Sequence, residues 1–244
     1  MQGCIFYTAG STAAMTCAVQ RLTDAGCTFS DAPSADVTHL LLPVPSLSPD
    51  GSLKGGGNLS QILQELPKDI CIVGGNLPVI PGYQVLDLLK DPAYVAENAY
   101  ITAHCAVRLA MDMLPVALRG CKILVIGWGR IGKCLAALLK GLEADVTVAA
   151  RKETDRAILK ALGYRATNTD SLSTDGYRVI FNTVPVSVLP SCSSACLKID
   201  LASAPGIGGS DVIHALGLPG KDAPEASGEL IARTVLRLIK EEKL

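Results

Sequence analysis

Residues 122–132, Lys-Ile-Leu-Val-Ile-Gly-Trp-Gly-Arg-Ile-Gly, set Gly127, Gly129 and Gly132 in a G-x-G-x-x-G spacing. An apolar run precedes these glycines, and a helical pattern over residues 134–142 follows them. Such a loop binds the pyrophosphate of a dinucleotide. Gly127 permits a tight turn out of a strand, Gly129 lets the backbone approach the anion, and Gly132 lets the helix pack close to the sheet. Arg130 and Ile131 open the helix whose N-terminus carries the pyrophosphate, and Trp128 packs over the loop. The spacing alone is weak evidence, but a second strand at residues 145–149 completes the order strand, loop, helix, strand that the mechanism needs.

The end of that second strand selects the dinucleotide. A carboxylate about 20 residues past the glycines holds the ribose 2′-hydroxyl of NAD, whereas an Arg accommodates the 2′-phosphate of NADP. Here Ala150, Arg151 and Lys152 occupy the place, with no acid to repel a phosphate and two cations to pair with it. The reading is NADP(H). Its competitor has Arg151 and Lys152 beginning a solvated helix beside Glu153 and Asp155.

Other chemistry is sparse. The nine cysteines are scattered and mostly lie in apolar patterns, as small core residues in a reducing compartment do. Cys192-Ser193-Ser194-Ala195-Cys196 has no second pair and no nearby His, so no metal site is expected. A formal net charge of −1 gives no footprint for nucleic acid. No apolar run reaches the roughly 18 residues of a membrane span, and Met1-Gln2-Gly3-Cys4 carries no basic leader. A soluble, cytoplasmic protein is expected.

The elements that must position the glycine loop follow a β/α rhythm. Residues 4–8 read as a strand, 12–25 as a helix, 37–42 as a buried strand, 62–66 as a short helix, 70–73 as a strand and 85–89 as a turn of helix. Pro43, Pro45 and Pro49 break the chain, and Gly55-Gly56-Gly57 marks a flexible loop. Ala9-Gly10-Ser11-Thr12 reads as a tight strand-to-helix turn. Residues 99–114 form a long helix that ends before Pro115. Beyond the glycine loop come a helix at 155–162, strands at 179–183, 197–201 and 212–216, and a final helix from Pro224 with Glu225 and Glu229 early and Lys240 and Lys243 late.

The expected fold class is therefore α/β. It combines an NAD(P)-binding Rossmann domain, a doubly wound parallel sheet, with a smaller N-terminal β/α (flavodoxin-like) domain, linked by a long helix. The boundaries read 1–98 for the N-terminal domain, 99–118 for the interdomain helix, 119–222 for the dinucleotide domain and 223–244 for the C-terminal helix. One connection is too short. Only residues 203–210 join the fifth and sixth strands, where a parallel crossover normally takes a dozen or more.

Asn182-Thr183-Val184-Pro185, Asp200-Leu201-Ala202-Ser203-Ala204-Pro205-Gly206, and Gly217-Leu218-Pro219-Gly220-Lys221-Asp222-Ala223-Pro224 with Ser227-Gly228-Glu229 form a more specific set. From about residue 98 onward the chain resembles the A subunit of dipicolinate synthase, the NADP-linked dehydrogenase component of that enzyme in spore-forming bacteria. The resemblance implies oxidation of dihydrodipicolinate to the aromatic dicarboxylate, a small dicarboxylate substrate, a possible homo-oligomer and a flavoprotein-like second subunit. On it, Thr183, Val184 and Pro185 line the nicotinamide ribose. Ser203 and Lys221 face a substrate cleft between the two domains, which Thr102 and His104 of the linking helix also bound.

Three features depart from that family. Ala9-Gly10-Ser11-Thr12-Ala13 stands where a Gly-Gly-Asp-x-Arg sequence is usual, Thr102-Ala103-His104-Cys105 where Thr-x-Glu-Gly is usual, and the crossover is short. His104 is either a general base or a polar residue on a solvated face. Arg108, one turn on, either grips a substrate carboxylate or balances surface charge. The departures touch the substrate side or a sheet edge and leave the cofactor side intact. They keep open two other functions: a different NADP-dependent hydroxy or keto acid dehydrogenase, and a non-catalytic NADP-binding subunit.

Overall fold

Short apolar runs alternate with amphipathic helices to build two parallel sheets. In the computed structural model, which describes residues 4–192 and 195–242, each sheet belongs to its own unit. Unit 1 comprises Met1–Asn98 and Pro219–Leu244, and unit 2 comprises Ala99–Leu218. Residues 219–222, which the sequence pattern assigns to the dinucleotide domain, thus group with unit 1. Residues 1–3, where a leader would begin, Ser193 and Ser194 of the C-x3-C pattern, and Lys243 of the final charge order lie outside the described residues.

Unit 1 begins with β1 (Ile5–Thr8), α1 (Ala13–Asp24), β2 (Thr28–Phe29), β3 (His39–Leu41), α2 (Leu59–Ile62), β4 (Cys71–Gly74) and β5 (Gln84–Asp87). The strand order is β2-β1-β3-β4-β5, parallel throughout. Thr12 starts α1 by accepting a hydrogen bond from the Met15 N–H, and the helix buries Ala14, Met15, Ala18 and Leu22 on one face. The core beneath gathers Leu40, Leu42, Leu53, Leu63 and Ile72.

Residues 85–89 do not form the expected turn of helix. Val85, Leu86, Leu88 and Leu89 have helical spacing, but Gln84–Asp87 pairs with β4 in the register Cys71↔Gln84 to Gly74↔Asp87, and only Leu88–Lys90 coils, as a 3-10 turn. Sheet pairing overrides the local pattern. Nor is Gly55-Gly56-Gly57 a bare flexible loop. Leu47 bridges Leu53, the Lys54 N–H donates to the Ser46 carbonyl at 2.9 Å, and the Ser11 N–H donates to the Lys54 carbonyl at 3.0 Å.

The linking helix is α3 (Pro92–Met113), which starts seven residues before the expected Ala99 because Asp91 caps it through the Tyr94 N–H. Unit 2 then builds β6 (Lys122–Ile126), α4 (Arg130–Gly141), β7 (Asp145–Ala149), α5 (Glu153–Ala161), β8 (Arg165–Thr167), β9 (Val179–Asn182), β10 (Leu197–Asp200) and β11 (Val212–His214). The order β11-β10-β9-β6-β7-β8, all parallel, is that of a doubly wound dinucleotide-binding sheet. Ile123, Leu124, Val125 and Ile126 of β6 are fully buried, as a central strand covered on both faces requires.

The short connection between β10 and β11 is resolved without a helix. The buried Asp200 carboxylate accepts from the N–H groups of Ala202, Gly206 and Ile207 and from the Asn182 side-chain amide, so the loop folds around one anion. At its far end the buried Lys198 ammonium pairs with Asp211, whose carboxylate holds it above the usual lysine range. β11 is consequently a real parallel strand, in register Lys198↔Val212 to Asp200↔His214.

The chain returns to unit 1 through α6 (Leu218–Asp222) and α7 (Pro224–Glu242). α7 lies so close on α1 that a Cβ at Gly228 would stand 2.6 Å from the Ala14 carbonyl oxygen. Arg237 of α7 pairs with Asp91 at 2.7 Å, and Arg233 pairs with Glu97. Among the described residues, no helix is long and apolar enough to cross a membrane, and no three His, Cys, Asp or Glu side chains cluster as a metal site would require.

Candidate dinucleotide site

Sheet order reverses between β6 and β9, and the glycine loop leaves β6 at that point. Gly127 sits at φ +107°, where a Cβ would stand 2.4 Å from the Thr183 hydroxyl. A Cβ at Gly132 would stand 2.1 Å from the Gly127 carbonyl oxygen, so the first turn of α4 rests directly on the loop. Gly129 differs from both: nothing lies within 4 Å of the place its Cβ would take. Two of the glycines are therefore demanded by the protein's own packing, and the middle one borders open space.

That space has the right electrostatics for a pyrophosphate. Gly129 is the N-cap of α4 and supplies no side-chain cap, and the first turn carries no acid. The orphan N–H groups and positive end of a twelve-residue helix are left for an exogenous anion. The residues present thus fit a dinucleotide. Gly129, Arg130, Ile131 and Gly132 would hold its pyrophosphate by main-chain N–H groups.

Thr183 closes the neighbouring side. Its N–H and its hydroxyl both donate to the Ile126 carbonyl at 2.9 Å, bringing Val184 to within 2.7 Å of the Gly127 Cβ position. Asn182 behind it is fully buried. Its amide donates to the Val184 carbonyl at 3.0 Å and to Asp200 at 2.8 Å, while its carbonyl accepts from the Val184 N–H at 3.0 Å. Thr183 and Val184 are thereby fixed from below. Pro185 and Ser203 are exposed on the loops that follow β9 and β10.

At the end of β7, Ala150 is buried while Arg151 and Lys152 are exposed, with Lys152 as the N-cap of α5. The Gly127 N–H donates to the Ala149 carbonyl at 2.9 Å, tying this end to the loop. Arg156, which the sequence pattern did not single out, shapes the turn. Its guanidinium donates to the carbonyls of Ala150 at 2.9 Å and Arg151 at 2.6 Å. The signal was an ordinary Arg in the first turns of a helix, which has no distinguishing spacing. Trp128 lies edge-on to Tyr164 with ring centroids 5.9 Å apart, and the Lys133 ammonium sits 5.8 Å from its ring.

The linking helix is not drawn into this set as one face. Thr102 is buried, whereas His104 and Arg108 are exposed, and Arg108 pairs with Asp112 at 3.8 Å. His104 and Arg108 line an apolar groove of about 920 Å³ with Tyr100, Met111, Cys134 and Leu138. This groove runs along the side of α4 that carries Lys133, Cys134, Ala137 and Leu138, while Leu135, Ala136 and Leu139 are the residues α4 buries. Lys221 is exposed in α6 and belongs to unit 1.

Comparison with known proteins agrees with the geometry. Residues 96–187 match the family model of the NAD-binding domain of D-isomer specific 2-hydroxyacid dehydrogenases, so unit 2 carries a nicotinamide-dinucleotide-binding domain of the oxidoreductase kind. The chain is 24% identical over 245 residues to the A subunit of dipicolinate synthase from Bacillus subtilis, covering 88% of this chain and 82% of that protein. Its fold is that of the crystal structure of the B. subtilis dipicolinate synthase polypeptide, at a TM-score of 0.81 with 21% identity over 99% of this chain and 97% of the other. It matches the corresponding dipicolinate synthase structure from Bacillus halodurans equally well, at a TM-score of 0.83 with 20% identity over 97% of both chains. The resemblance read from the local motifs thus extends over nearly the whole chain.

Proposed function

We propose that the chain is an NADP-dependent dehydrogenase that oxidises a dihydrodipicolinate to dipicolinate, in partnership with a second, flavoprotein-like subunit. The observation that carries the reading is the glycine loop, with open space at Gly129 and an uncapped α4, followed by Arg151 and Lys152 and by no acid at the ribose position. The similarity to the dehydrogenase component of dipicolinate synthase supplies the substrate class. Arg151 and Lys152 pair with the 2′-phosphate, and Arg156 holds the turn that presents them.

The bound nicotinamide supplies a hydride acceptor, and the substrate ring loses that hydride and one proton as it becomes aromatic. The chain's own task is to fix the ring and its two carboxylates. Thr183, Val184 and Pro185 border the nicotinamide ribose, and Ser203 and Lys221 serve the carboxylates. His104, on the groove side of α4, is given no part in the proton step. The match to the hydroxyacid dehydrogenase domain favours one competitor, oxidation of a 2-hydroxy acid at the same cofactor site.

Incubating the purified chain with NADP+ and either dihydrodipicolinate or a panel of 2-hydroxy acids, with absorbance at the nicotinamide band, separates these. NADPH formed from dihydrodipicolinate alone supports the proposal, and turnover of a hydroxy acid alone replaces it. Arg151→Ala should weaken NADPH binding by one to two decades, about 1.5 to 3 kcal/mol, and leave NADH nearly unchanged. Equal loss for both cofactors would remove the 2′-phosphate assignment.

A further inference from the structure

Unit 1 has a reversal point of its own, between β1 and β3, and ligands of open parallel sheets lie outside the strand ends at such a point. The chain there is uncharged: β1 runs into Ala9-Gly10-Ser11-Thr12 and β3 into Leu42-Pro43. A third segment is locked onto it. Gly10 at φ +75° leaves room for the Lys54 carbonyl, 2.4 Å from the place of a Cβ, and Gly55 lies so close to Ser11 that its Cβ would stand 2.2 Å from the Ser11 nitrogen. Ser46 anchors the base of the segment. It is fully buried, its hydroxyl donates to the Pro43 carbonyl at 2.8 Å and accepts from the Gly75 N–H at 2.9 Å.

The purpose of so firm a clasp is to present Lys54. Its ammonium is half-buried, and burial together with the Lys221 ammonium nearby pushes it below the usual lysine range. Two cations are therefore gathered at the strand ends of unit 1 from segments 167 residues apart in sequence (221 − 54). Neither appears in an ion pair with any described residue. Six residues beyond Lys221, the Ser227 hydroxyl is buried and has no hydrogen-bond partner. Like charges brought together without a counter-charge destabilise the unliganded protein, so the arrangement is explained by an anion that both would hold.

We propose that Lys54 and Lys221 form a carboxylate-binding pair at the β1–β3 reversal point, and that this pair holds the dianionic substrate. The dicarboxylate class follows from the two charges, and the choice of an aromatic ring diacid rests on the function proposed above. Lys54 is the new member. It supplies, from a distant loop, the cation that Ala9-Gly10-Ser11-Thr12-Ala13 lacks.

The test is calorimetric titration of the full chain, with saturating NADP+, by pyridine-2,6-dicarboxylate and separately by glutarate, on wild type, Lys54→Met, Lys54→Arg and Lys221→Met. Each Met variant should weaken dicarboxylate binding about ten- to a hundredfold, the loss of a charge-assisted contact. Lys54→Arg should retain most of the affinity. Without ligand, the Met variants should melt no lower than wild type, because repulsion is relieved. Lysine-dependent binding of glutarate but not of the pyridine diacid would keep the pair and overturn the substrate. Wild-type affinity in both Met variants, or no binding of either diacid to wild type, would overturn the pair itself. A Lys54→Met variant that loses its far-ultraviolet circular dichroism is replaced by Lys54→Gln, read in the same way.

Discussion

Each sheet has one point where strand order reverses, between β6 and β9 in unit 2 and between β1 and β3 in unit 1, and the two points are furnished differently. In unit 2 the helix that leaves the reversal point has a bare glycine as its cap, so its N–H groups are available to a ligand. In unit 1 the corresponding helix is already served by its own Thr12 hydroxyl. A backbone cradle suits a pyrophosphate, whose charge the main chain can wrap. Where the cap is internal, charge must come from side chains, here Lys54 and Lys221. The glycines differ accordingly: Gly129 borders empty space, whereas Gly10 borders the Lys54 carbonyl.

That contrast breaks most easily at the glycines. Gly129→Val should weaken dinucleotide binding by at least about a hundredfold, roughly 2.8 kcal/mol, while lowering fold stability by less than about 1 kcal/mol for a poorer cap. Nicotinamide fluorescence titration beside urea unfolding reads both quantities. A variant that binds normally would mean the dinucleotide is held elsewhere.

Gly10→Ala should do the opposite. The added Cβ must occupy φ +75° and stand 2.4 Å from the Lys54 carbonyl oxygen, so stability should fall by about 2 to 3 kcal/mol. Dinucleotide affinity should hold within twofold. If urea unfolding shows no loss, the clasp between the turn and the Lys54 segment does not carry the load assigned to it.

A smaller effect sharpens the comparison through pH. Burial would raise the Asp91 carboxyl, but the Arg237 guanidinium and the N–H groups of Tyr94 and Ala93 outweigh it and hold the group below the usual range. A carboxyl lowered in the folded state stabilises fully above its unfolded value, about 3.9, and the contribution disappears as pH falls through the folded value. The difference in melting temperature between wild type and Asp91→Asn should therefore be constant above about pH 5 and shrink below about pH 4. A difference that grows on acidification would reverse the sign and remove Asp91 from the interactions that hold unit 1 together.

How much of this was legible in the sequence follows from how far apart the participating residues are. The glycine loop, Arg151 with Lys152, and Thr183 with Val184 each sit in contiguous motifs next to a strand, and pattern reading found them. Short strands escaped: β2 and β8 have two and three residues, too few to show alternation. β5 misled because its apolar spacing fits a helical turn, and only pairing with β4 decides. α6 was hidden by Pro219 and Gly220, both poor helix formers. Asp200 was quoted as part of a motif, but its service to four donors depends on a loop folding back on it. Lys54 gave no signal at all. Its partner lies in another segment, and neither lysine has a periodicity or a motif to betray it.

The return of α7 to unit 1 has a consequence for how the chain is made. Unit 2 is an uninterrupted stretch, 99–218, and has all of its strands once that stretch has left the ribosome. The earlier-made sheet of unit 1 must wait for residues 219–242, with the flank of α1 that receives Gly228 still bare. At about 5–20 residues per second, the whole intervening stretch plus α7 takes several seconds or more to emerge. During that interval the half-finished unit exposes an apolar helix face, so the order of synthesis makes the first-translated domain the last to be completed and the natural client of a nascent-chain chaperone.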